Sequence, residues 1–184
     1  MQAQLNLKSV TPEEYKKMKG FEITYGFAAT KFGPSIIGIN NDRLCYIAFY
    51  DEGKDNSAID NLKNDWPNAI LKANNDAVQE MAKSVFDDAN SKQELNVLLK
   101  GTDLQINVWK ELTKLKIGTT TNYEQIAKAI GKPSAIRAVA NAISRNKVAY
   151  VIPCHRVIQK SGNISKYRWG VHRKKEMLEY EKET

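Results

Sequence analysis

Residues 153–158 read Pro-Cys-His-Arg-Val-Ile. A cysteine followed directly by a histidine sets a nucleophile beside a side chain suited to take its proton. The reactive form is the thiolate, and a free thiol of pKa ~8.5 is only a few per cent ionised at pH 7. Full ionisation gains on the order of 30-fold, about 2 kcal/mol, so most of any acceleration must come from positioning. The pair follows an apolar stretch, residues 148–152, that reads as a buried strand. Cysteine is also among the most buried residue types, and an inert core thiol is the usual case. A structural zinc site takes four ligands. The chain holds two cysteines and two histidines in all, with Cys154 and His155 adjacent. No metal is expected.

The charge around the pair argues against a packing accident. Residues 131–175 hold eleven Lys and Arg and no Asp or Glu, against 12 basic and 14 acidic residues over 1–100. A charge run is usually a solvated face. One this long, wrapped around a Cys-His pair, points to a polyanionic partner at the reactive site. Other classes are disfavoured. No apolar run approaches the ~20 residues that span a bilayer, and residues 1–11 contain no signal-peptide core. Two cysteines, Cys45 and Cys154, cannot build a disulfide framework. The expectation is a cytosolic protein with reduced thiols and an ordinary globular composition.

The elements that must position the pair come from periodicity. Residues 21–30 and 35–39 read as strands joined by the turn Lys31-Phe32-Gly33-Pro34. After Asn40-Asn41-Asp42, residues 43–50 read as a third, giving an antiparallel meander. Residues 57–66 and 76–89 have helical spacing, the second opened by Asn74-Asn75. Residues 97–100 suit a short strand. This half offers no catalytic constellation, and Cys45 reads as core.

From Thr102 the pattern is helical. Leu104, Val108, Trp109, Leu112 and Leu115 form a core stripe, ended by Gly118. Thr121-Asn122 precede a short helix over 123–130, capped by Gly131. Pro133-Ser134 open another, running to about 144. Two short helices across a glycine turn fit a helix-turn-helix. The second presents Arg137, Asn141 and Arg145 at spacings of four. Ala138, Val139, Ala142 and Ile143 pack inward or lie against a groove. An ordinary core helix is the bland alternative, and the charge bias favours DNA.

These residues resemble the O6-alkylguanine-DNA alkyltransferases, or methylated-DNA–protein-cysteine methyltransferases, from about Gly101 to the C-terminus. The landmarks are Gly101-Thr102 with Gln105, Val108 and Trp109; Tyr123; Gly131-Lys132-Pro133; Arg137-Ala138-Val139; Asn146; Ile152-Pro153-Cys154-His155-Arg156-Val157; Tyr167-Arg168-Trp169-Gly170; and Lys174 to Glu181. The Tyr-Arg-Trp-Gly-Val run is similar to the alkyltransferase module of bacterial adaptive-response proteins. The segment Val10-Thr11-Pro12-Glu13-Glu14-Tyr15 resembles the end of an AraC-type activator domain. The cysteine-bearing zinc domain of those proteins has no counterpart in this sequence.

The resemblance implies two domains. Residues 1–100 would form an α/β, ribonuclease-H-like domain. Residues 101–184 would form a mostly α, winged-helix or helix-turn-helix-like domain carrying the cysteine. It implies irreversible, single-turnover transfer of an alkyl group from O6-alkylguanine, and from O4-methylthymine, to Cys154 without a cofactor. His155 and Glu181 would stand behind the thiol; Glu176, Glu179 and Glu183 lie close by in sequence, and the resemblance selects Glu181. Tyr123 would act on the leaving guanine, and Asn146 would order the loop before the active-site strand. Arg137 would fill the gap left by a flipped base, with Lys132, Ser134, Ala138, Asn141 and Arg145 also on DNA. Val157, Tyr167 and Arg168 would line the base pocket. The expected partner is double-stranded DNA, met through its minor groove by a monomer, with no membrane. Two departures bear on substrate size: Ser165-Lys166 precedes Tyr167 where many relatives carry glycine, and Ala149 stands where some carry proline. A non-catalytic binder of alkylated DNA would lack the cysteine. A plain helix-turn-helix regulator would keep it as core, and a thiol hydrolase would need an oxyanion hole.

Overall fold

The structure, a computed structural model, describes residues 4–87 and 94–183. Asp88 and Ala89, the end of the expected second helix, lie outside the described residues, as does Thr184. The chain splits into two compact units, Met1–Lys100 and Gly101–Thr184.

The first unit carries the expected meander as strands β2 (Glu22–Thr30), β3 (Gly33–Asn40) and β4 (Arg43–Phe49). The first turn is tighter than the sequence suggests. Thr30 pairs with Gly33, so only Lys31 and Phe32 make the turn and Pro34 lies within β3. Ile36, Ile37, Leu44 and Ile47 are fully buried, which is why these strands read as unbroken apolar runs. The helices are α2 (Asp55–Asp65) and α3 (Asn75–Phe86), and the Asn74 side chain accepts from the Ala77 amide to cap α3.

Sequence periodicity missed three elements of this unit: strand β1 (Leu5–Val10), helix α1 (Pro12–Lys17) and strand β5 (Ile70–Ala73). Both strands are short and half exposed, so their alternation is weak. With β6 (Leu95–Lys100) they complete a mixed six-stranded sheet in the order β1-β6-β4-β3-β2-β5. Helix α1 is announced by a capping box in which Thr11 and Glu14 satisfy each other's backbone amides. Cys45 is fully buried in this sheet, where burial pushes its thiol far up.

The second unit opens on α4 (Asp103–Leu112). Thr102 and Gln105 form its capping box, which gives those two landmarks a structural reason. The helix stops at Leu112, six residues before Gly118. Its last turn gives way to a loop, and that frees the Leu115 carbonyl for use below. Val108, Trp109 and Leu112 are buried as the stripe predicts. The Trp109 indole donates to the Ala142 carbonyl at 2.9 Å and so ties α4 to the later helix α6 (Ile136–Ser144).

Helix α5 (Tyr123–Ala129) is capped by the Asn122 side chain on the Gln125 amide. Helix α6 begins at Ile136, later than Pro133-Ser134, and has no side-chain cap. Lys132 and Ser134 therefore lie in the turn ahead of the helix. Val139, Ala142 and Ile143 face inward, whereas Ala138 is exposed beside Arg137.

The buried strand expected over 148–152 does not form. Those residues are a bridge residue followed by turns, and strand pairing begins only at β8 (Val157–Ile158) against β7 (Thr121–Asn122). Helix α7 (Val171–Glu183), not foreseen from its mixed charge, closes the unit. Gly118 fits beneath it only because it is glycine: its φ is +75°, and a Cβ would sit 3.0 Å from the Glu181 carbonyl.

Candidate active site

Cys154, His155 and Arg156 form a single 3-10 turn, and all three side chains are buried. Tight i to i+3 geometry sends successive side chains in different directions. Cys154 lines a pocket of about 790 Å³, together with Tyr123, Asn141, Lys166, Tyr167 and Arg168. His155 is fully buried and sits behind the pocket wall, its Nε2 2.7 Å from the Glu181 Oε1 atom of α7. Glu176 and Glu179 are exposed, as is Glu183, so among the carboxylates of this helix the buried one is Glu181.

Glu181 is gripped twice. Arg156 Nε donates to Glu181 Oε2 at 2.9 Å, and its Nη2 to Oε1 at 2.8 Å. Arg156 Nη1 donates to the Leu115 carbonyl at 2.6 Å, the group released by the early end of α4. Burial raises the Glu181 carboxyl, but the hydrogen bonds and charges of His155 and Arg156 outweigh it and hold the group down at about 2. An ionised carboxylate only accepts. His155 Nε2 must therefore carry the proton and donate it, which leaves Nδ1 as a bare lone pair. That nitrogen is buried and has no hydrogen-bond partner among the described residues. Burial also pulls the imidazole pKa down, against the pull of Glu181. Both the tautomer and the shift favour a neutral ring, directly after Cys154 in the chain.

Burial pushes the Cys154 thiol up, while the Asn146 amide and the Lys174 charge pull against it. Asn146 takes the place of the missing strand ladder. Its Nδ2 donates to the Val148 carbonyl (3.3 Å), the Ile152 carbonyl (3.0 Å) and Cys154 Sγ (3.2 Å), and its Oδ1 accepts from the Val148 amide at 2.9 Å. One fully buried side chain thus reinforces the loop's own backbone bonds, from the Ile152 amide to the Val148 carbonyl and from the Cys154 amide to the Ile152 carbonyl, and touches the sulfur. Asn146→Ala is expected to strand the Val148 amide, at roughly 1–3 kcal/mol for an unsatisfied buried group, while the Val148 and Ile152 carbonyls keep the Ile152 and Cys154 amides as donors. The net loss should be about 1–3 kcal/mol in urea unfolding, with a loosened thiol; a loss below about 0.5 kcal/mol would mean that the loop holds itself.

Tyr123 lines the pocket, and burial followed by the Cys154 charge raises its phenol, so it stays protonated at neutral pH. Tyr167 lines the pocket, with its hydroxyl on Met177 sulfur at 3.6 Å and its ring edge-on to Trp169. Val157 is fully buried, and its carbonyl accepts from Lys174 Nζ at 2.7 Å. The Arg168 guanidinium donates to the Asn146 carbonyl at 2.8 Å, tying the pocket loop to that asparagine. Lys132, Ser134, Arg137, Ala138, Asn141 and Arg145 all lie exposed along α6 and the turn before it.

The burial of two basic side chains escaped sequence reasoning. Arg156 and Lys174 belong to the acid-free tract that points to a polyanionic partner, yet they are 4% and 1% exposed. With Arg173 they remove three of the eleven basic residues from the surface. The available signal was the position of Arg156, directly after His155, with a carboxylate needed behind the histidine.

Residues 103–183 match the family model described as 6-O-methylguanine DNA methyltransferase, DNA binding domain. The methylated-DNA–protein-cysteine methyltransferase of Kluyveromyces lactis is 35% identical over 70% of this chain and 69% of its own length. The chain belongs to the methylated-DNA–protein-cysteine methyltransferase family. The Mycobacterium tuberculosis protein OGT, solved in complex with DNA, superposes with a TM-score of 0.65 at 30% identity, covering 87% of this chain and 93% of that one. The mixed α/β sheet with helices is therefore the fold of this methyltransferase family. The bifunctional transcriptional activator/DNA repair enzyme Ada of Escherichia coli K12 is 35% identical over 88% of this chain. The chain spans about half the length of that relative and of the regulatory protein ada of Salmonella typhimurium. Among the described residues, no helix is long and apolar enough to cross a membrane. No group of three or more His, Cys, Asp or Glu among them could hold a metal ion.

Proposed function

We propose that this chain repairs O6-alkylguanine, and O4-methylthymine, in double-stranded DNA by irreversible transfer of the alkyl group to Cys154. The observation that carries the reading is Cys154 in the pocket wall with the buried His155–Glu181 pair behind it. The Cys154 proton passes to His155 Nδ1, through one water between the two side chains. The Cys154 sulfur then forms a bond to the alkyl carbon as the carbon–oxygen bond breaks, and that electron pair goes to the guanine oxygen. Tyr123 donates a proton to the leaving base, a role suited to a phenol held protonated. In-line placement of sulfur and carbon supplies most of the rate, on the order of 7–11 kcal/mol. A thioether does not return its alkyl group to water, so each molecule turns over once. No cofactor takes part.

A stacked base cannot reach a sulfur in a pocket, and flipping it out costs a few kcal/mol. Arg137, on the exposed face of α6, fills the vacated stack from the minor groove. Lys132, Ser134, Ala138, Asn141 and Arg145 meet the backbone around it. Val157, Tyr167 and Arg168 hold the base. Residues 1–100 are read as a ribonuclease-H-like domain and 101–184 as a helix-turn-helix domain of winged-helix type, acting as a cytoplasmic monomer.

Incubation with O6-methylguanine duplex followed by peptide mass spectrometry tests the reading. One methyl group on the Cys154 peptide is the expected result; a methyl on Cys45, or sustained turnover, overturns it. Arg137→Ala is expected to slow repair of duplex by roughly 10-fold or more, the scale of a lost contact of about 1.4 kcal/mol or more. It should leave reaction with free O6-methylguanine, which needs no flipping, within about twofold. Equal slowing of both substrates would reassign Arg137 to a structural role.

A further inference from the structure

The mechanism leaves one neighbour of the base unused. The Tyr150 ring stacks on the His155 imidazole with centroids 5.8 Å apart and planes 12° from parallel. Tyr150 is half-buried and lies in offset-parallel arrangement with a ring that is itself fully buried. Its backbone is left-handed, with φ +68°, a conformation uncommon for a bulky residue and worth a functional question. The loop that carries it is held by Asn146, which bonds the backbone at Val148 and Ile152 on either side of Tyr150. The unusual backbone and the pinned loop together aim this ring at the imidazole.

We propose that Tyr150 is a positioning residue for the proton transfer from Cys154: its ring fixes the plane of the His155 imidazole and favours the imidazolium that the transfer creates. The inference rests on the reading of His155 as the base. An aromatic face attracts a cation placed over it. When the sulfur–hydrogen bond breaks and a nitrogen–hydrogen bond forms at Nδ1, the positive charge appears beside the Tyr150 ring. The charged groups acting on His155 are Glu181 and Lys174 from α7 and Arg156 from its own turn, in which the Cys154 thiol directly precedes it. Glu181 favours the cation, whereas Arg156 and Lys174 oppose it. Tyr150 adds to the favourable side at the ring face, which Glu181, in the ring plane, does not cover.

The test compares Tyr150→Leu with Tyr150→Phe, because both keep an unbranched Cβ on the same left-handed backbone. Single-turnover methyl transfer from O6-methylguanine duplex is measured from about pH 6 to about pH 10, and the His155 ring protons are followed by NMR from about pH 4 to about pH 9. Tyr150→Leu is expected to slow transfer about 3–10-fold at neutral pH. The deficit should shrink as rising pH ionises the thiol without help. Tyr150→Phe keeps the stack and should remain within about twofold. The ring-current shift of the His155 protons should persist in Phe and vanish in Leu. Wild-type rates in both variants, or a deficit in Leu that is the same at every pH, overturn the proposal. If the unsubstituted chain takes up no methyl at all, the proposed function falls. The His155 titration then still decides the role of Tyr150: a lower imidazole midpoint in Leu than in Phe supports it, and equal midpoints overturn it.

Discussion

Cys154→Ala is expected to take up no methyl from alkylated duplex, while its affinity for the same DNA stays within about threefold. The reason is a division of labour across the unit. In the proposed reaction the sulfur is the single acceptor, and no second thiol lines its pocket, since Cys45 is buried in the sheet of the other unit. DNA affinity comes mainly from phosphate contacts, and the exposed basic residues at Lys132, Arg137 and Arg145 are untouched by the substitution. The fold should survive as well. Removing one methyl-sized buried group costs about 1 kcal/mol, and the Asn146 amide keeps its backbone partners at Val148 and Ile152. Cys154→Ser provides the control, because a hydroxyl can accept from Asn146 yet is a poor nucleophile at carbon. Methyl uptake is read by mass, DNA affinity by fluorescence anisotropy and folding by urea titration. Residual stoichiometric uptake in Cys154→Ala would place the acceptor elsewhere and overturn the mechanism.

Glu181→Ala is expected to destabilise the second unit by about 3–5 kcal/mol, the scale for removing one partner of a buried ion pair. The variant strands the Arg156 guanidinium, 4% exposed, with only the Leu115 carbonyl from the present set of bonds. It also removes the acceptor that fixes the His155 tautomer, so transfer should slow even where the chain is folded. The pH dependence has a definite sign. Glu181 is held at about 2 against an ordinary 4.5. A depressed carboxyl pKa contributes stability that is fully present above the ordinary value and lost as pH falls through the folded one. The shift corresponds to about 3 kcal/mol. The natural chain should lose that much between about pH 4.5 and about pH 2, and Glu181→Gln should not lose it. Urea midpoints of the two chains that move in parallel across this window would mean that the carboxylate contributes no net stability.

The sequence by itself determined a good deal. Cys154 next to His155, within an acid-free basic tract, was enough to propose a nucleophile, a base and a polyanionic partner. Apolar runs set β3 and β4, because a strand buried on both faces has no polar positions to blur it, and β2 followed from its turn to β3. Capping side chains at Thr102, Asn122 and Asn74 placed helix starts, since an N-cap bond is local. Long-range decisions were not legible. The stretch 148–152 has the composition of a strand, yet it closes on itself through the Ile152 amide to the Val148 carbonyl and the Cys154 amide to the Ile152 carbonyl, with the Asn146 side chain adding bonds to both carbonyls and to the Val148 amide. Arg156 and Lys174 looked like surface charge until α7 folded over them. A carboxylate 26 residues away from His155 cannot be chosen from four candidates by spacing. The tertiary structure chooses Glu181, because that carboxylate is on the buried face of α7, where two donors meet it. Periodicity reports which residues are inside, but the pairing of buried charges depends on which elements meet, and only the folded chain decides that.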